Sequence, residues 1–238
     1  MPGKIKKAMV LAAGYGLRLR PLTDHTPKPL VPVAGRPMIE YALDHLNASG
    51  IKDVVINVSH LKDQLITYLS ERGSFDFNVS EEVEPLETGG GLKKALALLG
   101  NEPFFTINSD IIWQDEGERA LDRLAAHWDD DKMDVLLLVQ PRSKAIGYDK
   151  GEDHLFIKLG NTIEWSERDA PYIIAGVGII HPRIIRNAPE GKFSVKVLWL
   201  AALQQGRLFC LPHRGSWFQT GTVEDIGKAE ACLRERAD

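Results

Sequence analysis

Apolar and polar positions fall in short alternating blocks along the chain. Ala8–Ala12 is a continuous apolar run, the pattern of a strand covered on both faces. A loop with prolines at 21, 27, 29 and 32 follows. Pro37 stands at a first helical position, and Met38, Ile39, Tyr41, Ala42 and Leu46 keep helical spacing up to Gly50. Asp53–Val58 reads as a second buried strand, Leu61–Leu69 as a short helix and Phe75–Val79 as a third strand. The string Glu84-Pro85-Leu86-Glu87-Thr88-Gly89-Gly90-Gly91 reads as a glycine loop feeding a helix, Leu92–Leu99, that stops at Gly100. Pro103–Ile107 is a buried strand ending in Asn108-Ser109-Asp110. The spacing predicts a helix over 117–128 and a strand over Val135–Val139. Beyond Pro141 the strand-like pieces His154–Leu159, Tyr172–Ala175 and Val177–Ile180 come without helices between them. A helix over 194–204, a strand over 207–211 and a last helix from Thr222 complete the pattern.

Alternating strand and helix argue an α/β fold, a mostly parallel mixed sheet flanked by helices, with ligands at the carboxyl ends of the strands. The first loop, the second glycine loop and Asp110 all fall at such ends. Neither an internal repeat nor the hexapeptide pattern of a β-helix occurs, so 1–238 reads as a single domain.

Charge adds a local asymmetry. The formal net charge is −4, yet residues 1–36 carry seven cationic side chains (Lys4, Lys6, Lys7, Arg18, Arg20, Lys28 and Arg36) against one acid, Asp24. These cations surround one glycine loop and form no stripe interleaved with aromatics, which disfavours nucleic acid as a partner. Cys210 and Cys232 form no Cys-x-x-Cys and read as reduced and non-catalytic. No apolar run approaches a membrane span, and the N-terminus lacks a secretory core, so a cytoplasmic protein without a membrane partner is expected.

The chemistry centres on Leu11-Ala12-Ala13-Gly14-Tyr15-Gly16, with Arg18 and Lys28 close behind. Glycines let backbone N–H groups approach an anion, and cations neutralise it. Leu19 stands where a dinucleotide fingerprint needs its third glycine, and no Gly-Lys-Ser/Thr exists for a Walker loop. Asp110, at the end of an otherwise apolar strand, is a sensible magnesium ligand beside a phosphate loop. The seven histidines show no zinc spacing, and no Gly-x-Ser-x-Gly elbow occurs. Glu84 and Glu87 flank the second glycine loop, where a carboxylate can accept from a base or sugar. Trp113, Trp165 and Trp217 read as packing residues.

The spaced pattern Leu11-Ala12-Ala13-Gly14-x-Gly16-x-Arg18, Pro21, Thr23, Pro27-Lys28-Pro29-Leu30 and Pro37 resembles the signature of the sugar-1-phosphate nucleotidylyltransferases. The resemblance continues through the string at 84–91, Asn108-Ser109-Asp110, Ala175-Gly176-Val177 and Trp217-Phe218-Gln219-Thr220-Gly221-Thr222. It implies a Rossmann-like core with a small sugar-binding β subdomain, the nucleotide part over about 1–110 and the sugar part over about 111–220. The reaction implied joins a nucleoside triphosphate to a sugar-1-phosphate and releases pyrophosphate. By resemblance Arg18, Lys28 and Asp110 are catalytic. Leu11, Ala12, Ala13, Gly14, Gly16, Glu84 and Gly89 hold the nucleotide. Asn108, Gly147, Glu164 and Gly176 hold the sugar, and Asp110 with Gln219 holds Mg²⁺. The string at 84–91 looks most like that of the N-acetylmuramate-1-phosphate uridylyltransferases of cell-wall peptidoglycan recycling. Mannose-1-phosphate guanylyltransferases look similar but carry a Gly-Thr-Ala-Gly version of it.

The chain departs from the family pattern in two places: the Glu-Lys-Pro that many relatives use for the sugar phosphate is missing, with Ile163-Glu164-Trp165-Ser166 in its region, and a second departure bears on the metal. Gln219 occupies the place of the family's second metal-binding Asp. An amide oxygen can coordinate Mg²⁺ without contributing charge, and Asp225, one turn further on, is a carboxylate that could compensate. A nucleotide-sugar binding protein with weakened catalysis is therefore the alternative reading.

Overall fold

The computed structural model describes residues 5–148, 154–157, 163–165 and 171–235. In chain order the first half comprises β1 (Lys7–Leu11), β2 (Pro32–Val33), β3 (Arg36–Pro37), α1 (Met38–Ala48), β4 (Asp53–Val58), α2 (Lys62–Ser70), β5 (Asp76–Glu81), α3 (Glu87–Lys94), α4 (Leu96–Leu99), β6 (Phe104–Asn108) and β7 (Ile111–Gln114). The second half comprises α5 (Ala120–His127), β8 (Val135–Pro141), β9 (Ala145–Ile146), β10 (His154–Ile157), β11 (Ile163–Trp165), β12 (Tyr172–Ile180), α6 (Pro182–Arg186), α7 (Lys196–Gln204), β13 (Leu208–Pro212), β14 (Ser216–Gln219) and α8 (Val223–Glu235).

The main sheet runs β11-β10-β12-β6-β1-β4-β5, with β8 joined to β12 and β13 joined to β8. Strands β6, β1, β4 and β5 are mutually parallel, while β12 runs antiparallel to both β6 and β8. Successive residues of β1 serve opposite faces, which is why its apolar run is unbroken. Ala8 and Val10 pack with α1 and α2 residues such as Leu43, Leu46 and Leu65. Met9 packs on the other face with Leu92, Leu99, Ile185 and Leu198 of α3, α4, α6 and α7. The mostly parallel sheet flanked by helices matches the architecture expected from the sequence.

Four local expectations need correction. Pro37 does not open α1; it belongs to β3, pairs with Pro32 and only then hands the chain to the helix. The second glycine run is no loop, because Gly89, Gly90 and Gly91 all lie inside α3. Close approach of the 191–193 segment to Gly89 and Gly90, and of Asn57 and Glu82 to Gly91, outweighs their poor helix propensity. The helix expected over 117–128 is shorter, Ala120–His127. The pieces at Tyr172–Ala175 and Val177–Ile180 are one strand, β12, with a register shift between Ile174 and Gly178.

That bulge positions the functional region. Gly176 sits at φ +70°, a conformation that glycine adopts without Cβ strain. Below the bulge β12 pairs with β6; above it, with β10. The sheet therefore forks beside the carboxyl end of β6. A second small sheet, β7-β14-β9, stands against the fork. Trp113 and Trp217 of that sheet are almost fully buried, as expected of packing residues; the Trp165 side chain lies outside the described residues. Among the described residues, no helix is long and apolar enough to cross a membrane.

Candidate active site

The loop after β1 owes its shape to two signature residues. Gly16 adopts φ +63°, and a Cβ there would come within 2.8 Å of Thr23 Cγ2. The buried Thr23 hydroxyl donates to the Gly16 carbonyl at 2.8 Å. Gly16 is thus fixed from beneath and serves the loop's curvature. Gly14 is different: a Cβ there would meet nothing within 4 Å. Lys28 opens a tight turn between Pro27 and Pro29, closed by the Leu30 N–H donating to the Pro27 carbonyl at 2.8 Å. Two prolines flanking one lysine pre-set its backbone and lower the entropy of holding the side chain inward.

Lys28 points across the strand ends to the Asp110 carboxylate, with which it forms a close ion pair. Burial pushes the Asp110 carboxyl up, but the Lys28 ammonium, with its hydrogen bond and a further contribution from Arg18, outweighs this and holds it below its ordinary value. The residue is therefore ionised at neutral pH. Asp110 is also tied through its backbone: the Thr220 hydroxyl donates to its carbonyl at 2.8 Å, and the Thr220 N–H at 3.2 Å. This brings the end of β14, and Gln219 with it, beside Asp110. Arg18 arrives from the other side. Gly221 leaves room for it, since a Cβ there would lie 3.1 Å from the guanidinium.

Two cavities meet at these residues. The first, about 350 Å³, is lined by Leu11, Ala12, Ala13, Gly14, Lys28, Asn108 and Asp110, together with Tyr15, Asn57, Glu82, Glu87, Thr88 and Lys192. The second, about 400 Å³, is lined by Leu11, Arg18, Asn108, Asp110, Gly147, Gly176 and Gln219, together with Thr88, Tyr148, Trp199, Thr222 and Asp225. Leu11, Thr88, Asn108 and Asp110 belong to both. Of the residues expected at the nucleotide, Leu11, Ala12, Ala13 and Gly14 line the first cavity while Gly16, Glu84 and Gly89 line neither; of those expected at the sugar, Asn108, Gly147 and Gly176 line the second.

The chain as a whole matches known proteins over nearly its full length. Residues 7–151 match the model of the family described as nucleotidyl transferase. The chain belongs to the nucleotidyl transferase family. It is 38% identical over 237 residues to the N-acetylmuramate α-1-phosphate uridylyltransferase of Caulobacter vibrioides, covering 97% of this chain and 98% of that one. It is 31% identical over 229 residues to the protein of that name from Neisseria meningitidis serogroup B, covering 94% and 97%. Among solved structures it superposes on UDP-glucose pyrophosphorylase complexed with UDP-glucose with a TM-score of 0.79 at 20% identity, over 98% of this chain and 99% of that one. The last similarity speaks for the fold.

Within this nucleotidyl transferase some expected residues stand apart from both cavities. Glu84 is exposed and lines neither; Glu82, two residues earlier and buried, lines the first. Gly89 lines neither cavity, because a Cβ there would overlap the Phe193 ring. The Gly89 and Gly90 N–H groups both donate to the Phe193 carbonyl, at 2.9 and 3.0 Å, which leaves Thr88 as the member of the string on both walls. The side chain of Glu164 lies outside the described residues. Sequence reading missed Asn57, Glu82 and Thr88. The signal available was weak: a polar residue ending an apolar strand, and one acid among several.

For a divalent cation the donors present suit Mg²⁺. Among the described residues, no three His, Cys, Asp or Glu side chains cluster as a closed protein cage. The cavity offers the ionised Asp110 and the Gln219 amide, with Asp225 on the same wall. One or two carboxylates, with phosphate oxygens and water for the rest, is the usual Mg²⁺ set. Asp225 also caps α8, where its Oδ2 accepts from the Thr222 N–H at 3.0 Å and from the Thr222 hydroxyl at 2.7 Å.

Proposed function

We propose that this nucleotidyl transferase couples UTP to N-acetylmuramate α-1-phosphate, giving UDP-N-acetylmuramate and pyrophosphate. The observation that carries this is the pair of cavities sharing Asp110, with Lys28 on one side and Arg18 on the other. A nucleotide in the first and a sugar-1-phosphate in the second bring their phosphates to one cationic wall. The sugar phosphate oxygen attacks the α-phosphorus in line, the new P–O bond forms, and the α–β bridging oxygen leaves with pyrophosphate. The nucleophile is already an anion at neutral pH, so no general base is required. Catalysis reduces to orientation and charge neutralisation. Lys28 carries charge at the reacting centre; Arg18, which lines the second cavity beside Asp110, is assigned to the triphosphate by the family signature it resembles. Asp110 and Gln219 would hold Mg²⁺, which when bound supplies further neutralisation of phosphate charge.

The uridine and N-acetylmuramate assignments draw support from the string at 84–91 and from the names of the two relatives above. The same reading puts the enzyme in the cytoplasm, reusing cell-wall sugar, with residues to about 110 serving the nucleotide and 111–220 the sugar. Guanylyl transfer to mannose-1-phosphate is the alternative substrate pair. Gln219 favours a second reading, a nucleotide-sugar binder with weakened turnover, since an amide brings the metal no charge.

One matrix separates these readings: four nucleoside triphosphates against several sugar-1-phosphates, with released pyrophosphate measured with and without Mg²⁺. The expected result is Mg²⁺-dependent release, highest for UTP with N-acetylmuramate α-1-phosphate. GTP with mannose-1-phosphate leading would replace the substrate assignment. Tight binding without release, restored by Gln219→Asp, would establish the second reading.

A further inference from the structure

Glu82 is a carboxylate only 3% exposed, and no ion pair to it exists among the described residues. Its partners are neutral. Oε1 accepts from Asn57 Nδ2 at 2.8 Å, and Oε2 accepts from the Leu86 N–H at 2.8 Å. Asn57, itself 3% exposed, accepts on Oδ1 from the Ala12 N–H at 2.8 Å. An unbroken chain of hydrogen bonds thus runs from the first loop, through Asn57 and Glu82, to the entry of α3. A carboxylate cannot donate, so Glu82 dictates which way the Asn57 amide faces: Nδ2 toward the acid and Oδ1 toward Ala12. Both side chains line the first cavity. The segments they tie, Ala12–Gly14 and Glu87–Thr88, line it too. Both Glu82 oxygens accept from the protein and offer a phosphate no donor, so the residue serves the wall and does not hold the triphosphate. Gly91 completes the arrangement: a Cβ there would lie 2.7 Å from Asn57 Nδ2 and 2.9 Å from Glu82 Oε1. The third glycine of the string is thus required by this pair.

We infer that Asn57 and Glu82 form a positioning relay that sets the spacing of the two walls of the nucleotide cavity, and through it the affinity for the nucleoside triphosphate. The inference rests on the nucleotidyl-transfer reading above. It assigns a role to two residues outside the spaced signature. Neither residue is asked to touch the reacting phosphates.

The test is kinetic, on the full chain, with UTP or whichever nucleotide the substrate matrix selects. Glu82→Gln sets an amide donor against the donor of either Asn57 or Leu86 and cuts one link. The expected change is a roughly tenfold rise in the nucleotide KM, the size of a lost charge-assisted hydrogen bond. The sugar-1-phosphate KM and kcat stay within about twofold, since the second cavity is not altered. Asn57→Ala cuts the same chain elsewhere and gives the same split; it also carries the test if Glu82→Gln does not fold. The double variant is no worse than the more severe single variant, because both interrupt one network. Calorimetric titration with UTP, beside thermal melting of each variant, separates weakened binding from unfolding. Unchanged nucleotide affinity in both folded variants, or equal loss toward both substrates, overturns the relay while leaving the enzyme reading intact. A wild-type chain that neither binds a nucleoside triphosphate nor releases pyrophosphate overturns both together.

Discussion

The two glycine segments of this enzyme use one residue type for opposite ends. In the first, Gly14 borders open cavity space, and a side chain there would strike nothing in the protein. Its glycine leaves room for something that is not protein. In the second, each glycine is pressed by the protein itself: Gly89 by Phe193, Gly90 by the Gly191 carbonyl, and Gly91 by Asn57 and Glu82. The N–H groups at 89 and 90 are consumed by the Phe193 carbonyl, although helix N-termini are common anion sites. Glycine content alone therefore says little about phosphate binding. What distinguishes the first segment is empty space in front of it and the cations behind it.

The difference can be broken experimentally, and the largest effect lies with the cation. Lys28→Met should lower turnover by about 10²–10³-fold, or roughly 3–4 kcal/mol, as for loss of one charge-stabilising donor. Its nucleotide KM should rise less. A fall in melting temperature that accounts for the whole activity loss would make Lys28 structural. Next, Gly90→Ala should destabilise the fold by about 2–3 kcal/mol, because the new methyl meets backbone that cannot rotate away; urea unfolding reads this directly. Gly14→Ala is the counterpart, with stability expected within about 0.5 kcal/mol of wild type. Its cost should appear in the nucleotide KM, by several-fold, where the methyl enters the cavity. A large stability loss there would erase the contrast between the segments.

The smallest effect is a pH dependence. Asp110 has a folded value below its unfolded one. Its pair with Lys28 therefore contributes stability that is present above the unfolded carboxylate range, about pH 4, and is lost as pH falls through the folded value. Lys28→Met removes the largest influences opposing burial at Asp110, leaving only its backbone hydrogen bond and Arg18 to hold the carboxyl down. The stability gap between wild type and Lys28→Met should be widest near neutral pH and narrow below about pH 4. A gap of constant width would contradict the pairing.

Much of this was legible in the chain. Asp53–Val58 was recovered to the residue, because a parallel strand buried on both faces writes itself as an apolar run. The signature residues Gly14, Arg18, Lys28 and Asp110 converge on the two cavities: Gly14 and Asp110 sit just past the ends of β1 and β6, and the long loop after β1 brings Arg18 and Lys28 back to them. The failures share one cause, contacts with distant sequence. Gly89 and Gly90 lie in helix against a segment about a hundred residues away, 191–193, and Gly91 against Asn57 and Glu82. Strand β14 was not foreseen, because its partner β7 lies about a hundred residues earlier. Glu82 was passed over for Glu84 because local pattern cannot tell which of two nearby acids turns inward.

The tether from Thr220 to the Asp110 carbonyl has a consequence in time. During synthesis the strands that present the glycine loop, Lys28 and Asp110 leave the ribosome first and can pair among themselves. The wall that carries Gln219 and Gly221 emerges more than a hundred residues later. Until β14 docks on β7, Asp110 has no anchor on its carbonyl and Arg18 has no surface to lie against. The wall of the second cavity that carries Gln219, Thr222 and Asp225 is therefore the last part of the site that the chain order supplies.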